Sequence, residues 1–166
     1  AKAIDPWVVM IVDDDPAVHQ VTQLVMADFE FGGRRLQFLD AYSATEAREL
    51  LQARQDIALV LLDVVMESEH AGLDLARYIR EELENHHVRI VLRTGQPGQA
   101  PEEHVIKTYD INDYKEKTEL TKRKLITVFY SALRSYRDIM IIDQSRQALR
   151  RSIDAITRLH KRALEA

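Results

Sequence analysis

The sequence predicts an α/β fold, a doubly wound five-stranded parallel sheet with a long C-terminal helical extension. Short apolar runs alternate with amphipathic stretches through residues 1–118. Strands that alternate with helices at this spacing imply a parallel sheet covered on both faces. From Glu119 to Ala166 there is no glycine or proline, so a single helix can run through most of that stretch.

Taken in order, Trp7-Val8-Val9-Met10-Ile11-Val12 is an apolar run ending at Asp13-Asp14-Asp15, the pattern of a strand buried on both faces. Pro16 suits a first helical turn, with Val18, Val21, Leu24 and Val25 at helical spacing behind it. Phe31-Gly32-Gly33 ends that helix, and Leu36 to Tyr42 reads as the second strand. Ser43 has the place of an N-cap, with Glu46 three residues on as its capping-box partner. Ile57 to Leu62 is the third strand and stops at Asp63. Leu73, Ala76, Tyr78, Ile79 and Leu83 trace the next helix, and Val88 to Leu92 the fourth strand. A loop with Gly95, Pro97, Gly98 and Pro101 follows, then a short helix around 102–109 and a weak strand near Ile111 to Tyr114.

Beyond residue 119 the rhythm changes. Ile139, Ile142, Arg146, Leu149, Ile153, Ile156, His160 and Ala163 fall at alternating spacings of three and four, the seam of a coiled coil. A two-stranded homodimer through Ile139, Ile142, Leu149, Ile153 and Ile156 is the expectation, with Arg146 and His160 as weak points. A single amphipathic helix packed back on its own domain is the alternative.

The chain has 166 residues, enough for one well-cored domain and an appendage. With no cysteine, disulfides and thiolate chemistry are excluded, which fits the reducing cytoplasm as the expected location. No apolar run reaches the ~18 residues of a membrane span, so no membrane association is expected. Net charge is −4 but uneven: residues 1–118 carry 12 basic and 22 acidic side chains, and 119–166 carry 11 and 5. A basic tail could touch nucleic acid, but Arg and Lys on a long helix more simply solvate its outer face, so nucleic acid is not an expected partner. The six histidines form no convincing metal set.

In a doubly wound sheet, sites form at the carboxyl ends of the strands. Asp13 and Asp14 end the first strand and Asp63 the third. If those strands are neighbours, the carboxylates are close enough to repel unless a cation joins them. Oxygen donors in an open cleft suit Mg²⁺. Thr94 ends the fourth strand with a hydroxyl, and Lys117 follows the fifth with an ammonium. With no evident base or nucleophilic serine, this set suits phosphoryl transfer onto an aspartate.

Val12-Asp13-Asp14-Asp15-Pro16, Leu61-Leu62-Asp63-Val64-Val65-Met66, Leu92-Arg93-Thr94-Gly95 and Asp113-Tyr114-Lys115-Glu116-Lys117 resemble, in order and separation, the signatures of response-regulator receiver domains, which are CheY-like and flavodoxin-like in fold. The resemblance covers residues 1–120, leaving 121–166 as a fifth helix continuing into a coiled-coil-like signalling helix. It implies that Asp63 accepts phosphate from a histidine kinase or phosphotransfer protein. It also implies that Asp14, Asp63 and the backbone carbonyl of Val65 bind Mg²⁺, with Asp13 helping directly or through water. Thr94 and Lys117 would contact the phosphoryl group, and Thr94 and Tyr114 would form the switch pair. Beyond self-phosphorylation and dephosphorylation no enzyme activity is implied. Asp110-Ile111-Asn112-Asp113-Tyr114-Lys115, with the helix from Lys122 to Asp143, further resembles receivers that precede HD-GYP cyclic-di-GMP phosphodiesterase modules. No HD or GYP motif occurs in these residues, so the chain itself is not expected to hydrolyse the dinucleotide.

Two departures stand out. Glu67 occupies a position usually held by proline, and the stretch to Gly72 is one residue longer. Thr118 follows Lys117 where a cis proline is usual, and a cis bond to threonine would cost roughly 3 kcal/mol more than a trans one. Lys115 is therefore a rival for the lysine role. Two other functions stay open: a Mg²⁺-dependent phosphohydrolase, for which Asp13 and Asp15 supply the Asp-x-Asp spacing, and a non-phosphorylated pseudo-receiver serving as a dimer scaffold.

Overall fold

A computed structural model describes residues 4–95, 103–117 and 121–166. Five parallel strands, β1 (Trp7–Val12), β2 (Leu36–Ala41), β3 (Ile57–Asp63), β4 (Arg89–Thr94) and β5 (Asp113–Glu116), lie in the order β2-β1-β3-β4-β5. Between them run α1 (Pro16–Val25), α2 (Ala44–Ala53), α3 (Ala71–Arg77) and α4 (Glu103–Thr108), and α5 (Lys122–Glu165) follows the last strand. This is the expected doubly wound sheet with its long C-terminal helix.

β1, β3 and β4 are buried along their whole length; β1 and β3, up to Asp63, read as continuous apolar runs for that reason, whereas β4 also buries Arg89, Arg93 and Thr94. Successive side chains alternate between faces. Val8, Met10, Val12, Val60, Leu62, Ile90 and Leu92 enter one cluster with Leu51 of α2 and Leu75 of α3. The alternate residues Val9, Ile11, Leu59, Leu61 and Val91 are buried on the opposite face. There Phe129 of α5 is fully buried and meets Phe38 and Phe29, with ring centroids 6.3 and 6.0 Å apart.

Helix ends follow local chemistry. Asp15 caps α1 by accepting from Ala17 N at 2.9 Å, with Pro16 next in the first turn. Ser43 caps α2 by accepting from Glu46 N at 3.2 Å, but Glu46 reaches back to Tyr42 N rather than to the cap's own N–H. The expected helix from Leu73 to Leu83 is α3 followed by a π-helical turn, Tyr78–Glu82. That wider turn carries Arg80, which is 4% exposed, into the protein. Its guanidinium donates to the carbonyls of Tyr109, Asn85, Val88 and Asp110 at 2.7–2.9 Å. Burial, reinforced by the nearby charge of Arg89, lowers its pKa to about 10.

Several boundaries differ from expectation. β4 begins at Arg89 and runs on to Thr94, one residue later and two further than expected. β5 begins at Asp113 instead of Ile111: Asp110 takes a positive φ of 48°, and Asn112 donates its backbone N–H to Ile90 O at 2.9 Å while its side-chain Oδ1 accepts from Ile90 N at 2.7 Å. α1 differs most. His19 and Thr22 are its buried residues, while Val21 and Leu24 are 58% and 78% exposed. The helix turns its polar side inward because Asp40, the Asp13 carbonyl and Arg93 offer polar partners there.

The chain forms two compact units, 1–136 and 137–166. In the first, Leu125, Val128, Phe129, Ala132, Leu133 and Tyr136 of α5 are buried. In the second, every residue beyond Asp143 is exposed, including Leu149, Ile153 and Ile156.

Replacing Arg80 with alanine removes the donor of four carbonyls at once. A loss of about 3 kcal/mol or more is expected, read as a lower Tm and urea midpoint. A midpoint equal to wild type would show that water takes over those bonds.

Candidate functional site

β1 and β3 are adjacent and paired with Val12 opposite Leu62, so Asp13 and Asp63 emerge side by side at the carboxyl edge. Both are buried, at 1% and 4% exposure, and Asp14 is exposed. One carboxylate oxygen from each of Asp13, Asp14 and Asp63 lies within 4.8 Å of the others. Asp15 is not in this group, because its carboxylate caps α1. Among the described residues, the Asp-x-Asp pair thus places only one of its acids in the site.

Lys117 closes the cluster. Its Nζ lies 3.0 Å from Asp13 Oδ2 and 3.1 Å from Asp63 Oδ2. Lys115 pairs with Asp113 Oδ1 at 3.7 Å, so of the two lysines Lys117 is the one that reaches the acids. Thr118 lies outside the described residues.

The electrostatics follow from the burial. Desolvation pushes the Asp63 carboxyl above the usual carboxylate range and the charge of Asp13 adds to it, while Lys117 and the Val65 N–H pull the other way. For Lys117 desolvation opposes the charge, but its contacts with Asp13 and Asp63 prevail and the pKa is raised. Val65 N lies 3.4 Å from Asp63 Oδ1 and orients the carboxylate weakly.

Backbone packing holds the acceptor in place. Gly72, at the start of α3, donates to Val64 O at 3.1 Å, and a Cβ there would stand 2.2 Å from Asp63 O. Only glycine permits this approach. Glu67, the residue standing in for the usual proline, accepts from Ala44 N at 2.9 Å and ties the loop after Asp63 to the start of α2.

Thr94, at the end of β4, is 1% exposed. Tyr114 on β5 packs against the cluster shared by α2 and α3, and its hydroxyl oxygen is buried with no hydrogen-bond partner. The helix residues Ile142, Leu149, Ile153 and Ile156 are 52–65% exposed, and Ile139 is partly buried.

Two side chains of the site were not singled out from the sequence. His19 of α1 is buried, with Nδ1 2.7 Å from Asp40 Oδ1 and Nε2 2.8 Å from Asp13 O, and it stacks on Tyr42 at 4.4 Å. Arg93 is 4% exposed and donates through Nη1 to Thr22 Oγ1 at 3.1 Å. These contacts explain why α1 faces inward with His19 and Thr22. For Arg93 the available signal was a charged residue among the apolar residues of the fourth strand, a signal it shares with Arg89.

The donor set suits a hard divalent ion. Three carboxylates with close oxygens are the ligands Mg²⁺ takes alongside its waters. No helix among the described residues is long and apolar enough to cross a membrane.

Residues 9–129 match the Response regulator receiver domain family. The chain is 57% identical over 151 residues to the 3'3'-cGAMP-specific phosphodiesterase 2 of Vibrio cholerae, covering 91% of this chain but only 29% of that protein. Its fold is similar to a CheY-like receiver domain protein from Methanospirillum hungatei, with a TM-score of 0.64, 25% identity, and 79% of this chain and 97% of that one covered. It is also similar to the signal receiver domain of an HD domain-containing protein from Pseudomonas fluorescens, with a TM-score of 0.66, 20% identity, and 84% and 96% covered. The shared edge of β1 and β3, its acids and the matched residues lead to one conclusion: the chain belongs to the response regulator receiver domain family.

Proposed function

We propose that Asp63 is the phosphoacceptor of this receiver domain. The observation that carries this is the ammonium of Lys117 set between Asp13 and Asp63 at 3.0 and 3.1 Å, within a group of three carboxylates of which Asp14 is exposed. An Asp63 oxygen attacks the phosphorus of a phosphohistidine on a histidine kinase or phosphotransfer protein. An O–P bond forms as the P–N bond breaks, and the departing imidazole takes a proton from solvent. Held by Asp13, Asp14, Asp63 and the Val65 carbonyl, a Mg²⁺ ion would neutralise charge on the transferred oxygens. Lys117 already faces Asp63 and is placed to bind one of those oxygens.

Thr94 then bonds the phosphoryl group, and Tyr114 turns into the space it leaves. The lack of a partner for the buried Tyr114 hydroxyl supports this, because no hydrogen bond is lost when the ring moves. α5 follows β5 and runs as one helix from Lys122 to Glu165, and its exposed stripe of Ile142, Leu149, Ile153 and Ile156 supports pairing with a second copy. Phosphorylation would reach the output by altering that pairing. Given the relative's name, the output we propose is cyclic-dinucleotide phosphodiesterase activity in a separate domain.

Incubation with acetyl phosphate and Mg²⁺ should add one phosphoryl mass to the intact protein, and nothing to Asp63→Asn. Lys117→Ala should lower the yield at least ~10-fold. An adduct that survives in Asp63→Asn would place the acceptor elsewhere.

Because the folded pKa of Asp63 is raised, the native state holds its proton more tightly than the unfolded chain does. Stability from this group is therefore greatest below the ordinary value of 3.8 and falls as pH rises through the raised pKa. In metal-free buffer Asp63→Asn should thus raise Tm at pH 7.5, and the gain should shrink towards pH 4. A gain independent of pH would contradict the shift.

Sedimentation should give a two-chain mass at micromolar concentration under phosphorylating conditions, and Ile153→Asp should return one chain. A wild type that stays monomeric with and without acetyl phosphate would remove the pairing mechanism.

A further inference from the structure

In the ladder between β3 and β4, the partner of Asp63 is Arg93. Neighbouring parallel strands stand ~4.8 Å apart, and register partners point to the same face. Arg93 in turn is the partner of Lys115 on β5. Asp63, Arg93 and Lys115 therefore form one row across the sheet, an acid followed by two bases, with Asp13 just past the last β1–β3 register pair. Lys115 is partly exposed and paired with Asp113, whereas Arg93 is 4% exposed.

Nη1 of Arg93 is fixed to α1 through Thr22 Oγ1, but Nε and Nη2 are buried with no partner. Burying an incompletely bonded cation costs stability. Desolvation accordingly lowers its pKa to about 10, and the opposing influence comes from Asp13 and Asp63. Beside it a cavity of about 220 Å³ is lined by Thr22, Val18, Leu125 and Lys117.

We propose that Arg93 is a resident counter-cation of the acceptor site. It weakens divalent-ion binding to the unphosphorylated acids and favours the extra negative charge once Asp63 carries a phosphoryl group. The inference rests on Asp63 being the acceptor. Its physical basis is Coulombic. A fixed positive charge beside Asp63 repels a dication bound to the same carboxylates, and it attracts a group that is more negative than the carboxylate it replaces. Arg93 is a positioning residue here, because it touches neither acid directly and acts through their charge.

The test compares the full chain with Arg93→Met, which keeps length and removes charge, and Arg93→Lys, which keeps charge. Mg²⁺ affinity is measured by calorimetry at pH 8 without phosphodonor, beside Tm and the phosphorylated fraction in acetyl phosphate. Arg93→Met should bind Mg²⁺ ~5–10-fold more tightly, melt at a higher temperature and hold a smaller phosphorylated fraction at saturating Mg²⁺. Arg93→Lys should stay within ~2-fold of wild type in affinity. Equal Mg²⁺ affinity in wild type and Arg93→Met, or equal tightening in both variants, would overturn the counter-cation role and leave Asp63 as acceptor. A wild type that binds no Mg²⁺ and takes no phosphoryl group would overturn the acceptor assignment, and this inference with it.

Discussion

Asp13 and Asp63 are buried next to each other at the ends of adjacent strands, an arrangement that repels itself. It holds because Lys117 reaches from beyond β5 to meet both. Much of the domain serves that contact. The strand order puts β1 beside β3, and the in-register pairing through β4 to β5 brings the lysine to the same edge. Gly72 lets α3 start against the Asp63 backbone, and Asp15 caps α1 without adding a further acid to the site. Remove the lysine and the raised pKa of Asp63 would rise further, since the largest influence favouring its charge would be lost.

Much of this was legible in the sequence, for physical reasons. β1 and β3 are buried on both faces and apolar up to their last residues, so their composition alone marks them, and acids at the ends of such runs must lie at the sheet edge. What stayed hidden depends on contacts between distant residues. The apolar spacing of Val18, Val21, Leu24 and Val25 suggests an inward face. The helix instead buries His19 and Thr22, because Asp40, the Asp13 carbonyl and Arg93 offer hydrogen bonds there. Ahead of β5, the side chain of Asn112 takes the Ile90 N–H while its backbone N–H bonds Ile90 O, a contact between distant residues that the apolar pattern does not carry. The π-helical turn leaves no trace in the apolar period, because one extra residue per turn still lets Ile79 and Leu83 point inward. Arg93 looked like a neutral part of a motif until the register set it opposite Asp63.

Charge is the common currency of the site. Three acids and a lysine suit a dication and a phosphoryl group, and the buried arginine behind them sets how strongly either is held. α1 takes part in this balance, since its Thr22 anchors the arginine and its His19 supports the Asp13 carbonyl. The same helix leaves Val21 and Leu24 uncovered, so the charge state of the acids and an apolar outer surface share one rigid element.

At the other end of the sheet, Arg80 knots the loop before β4 to the turn between α4 and β5. That knot lies at the amino ends of β4 and β5, whereas the acids, Thr94 and Lys117 lie at their carboxyl ends. The two strands and the helix between them are thus pinned at one end. Under the proposed phosphorylation, displacement begun at the carboxyl edge would be greatest there and die away towards the clamp, a tilt in place of a slide.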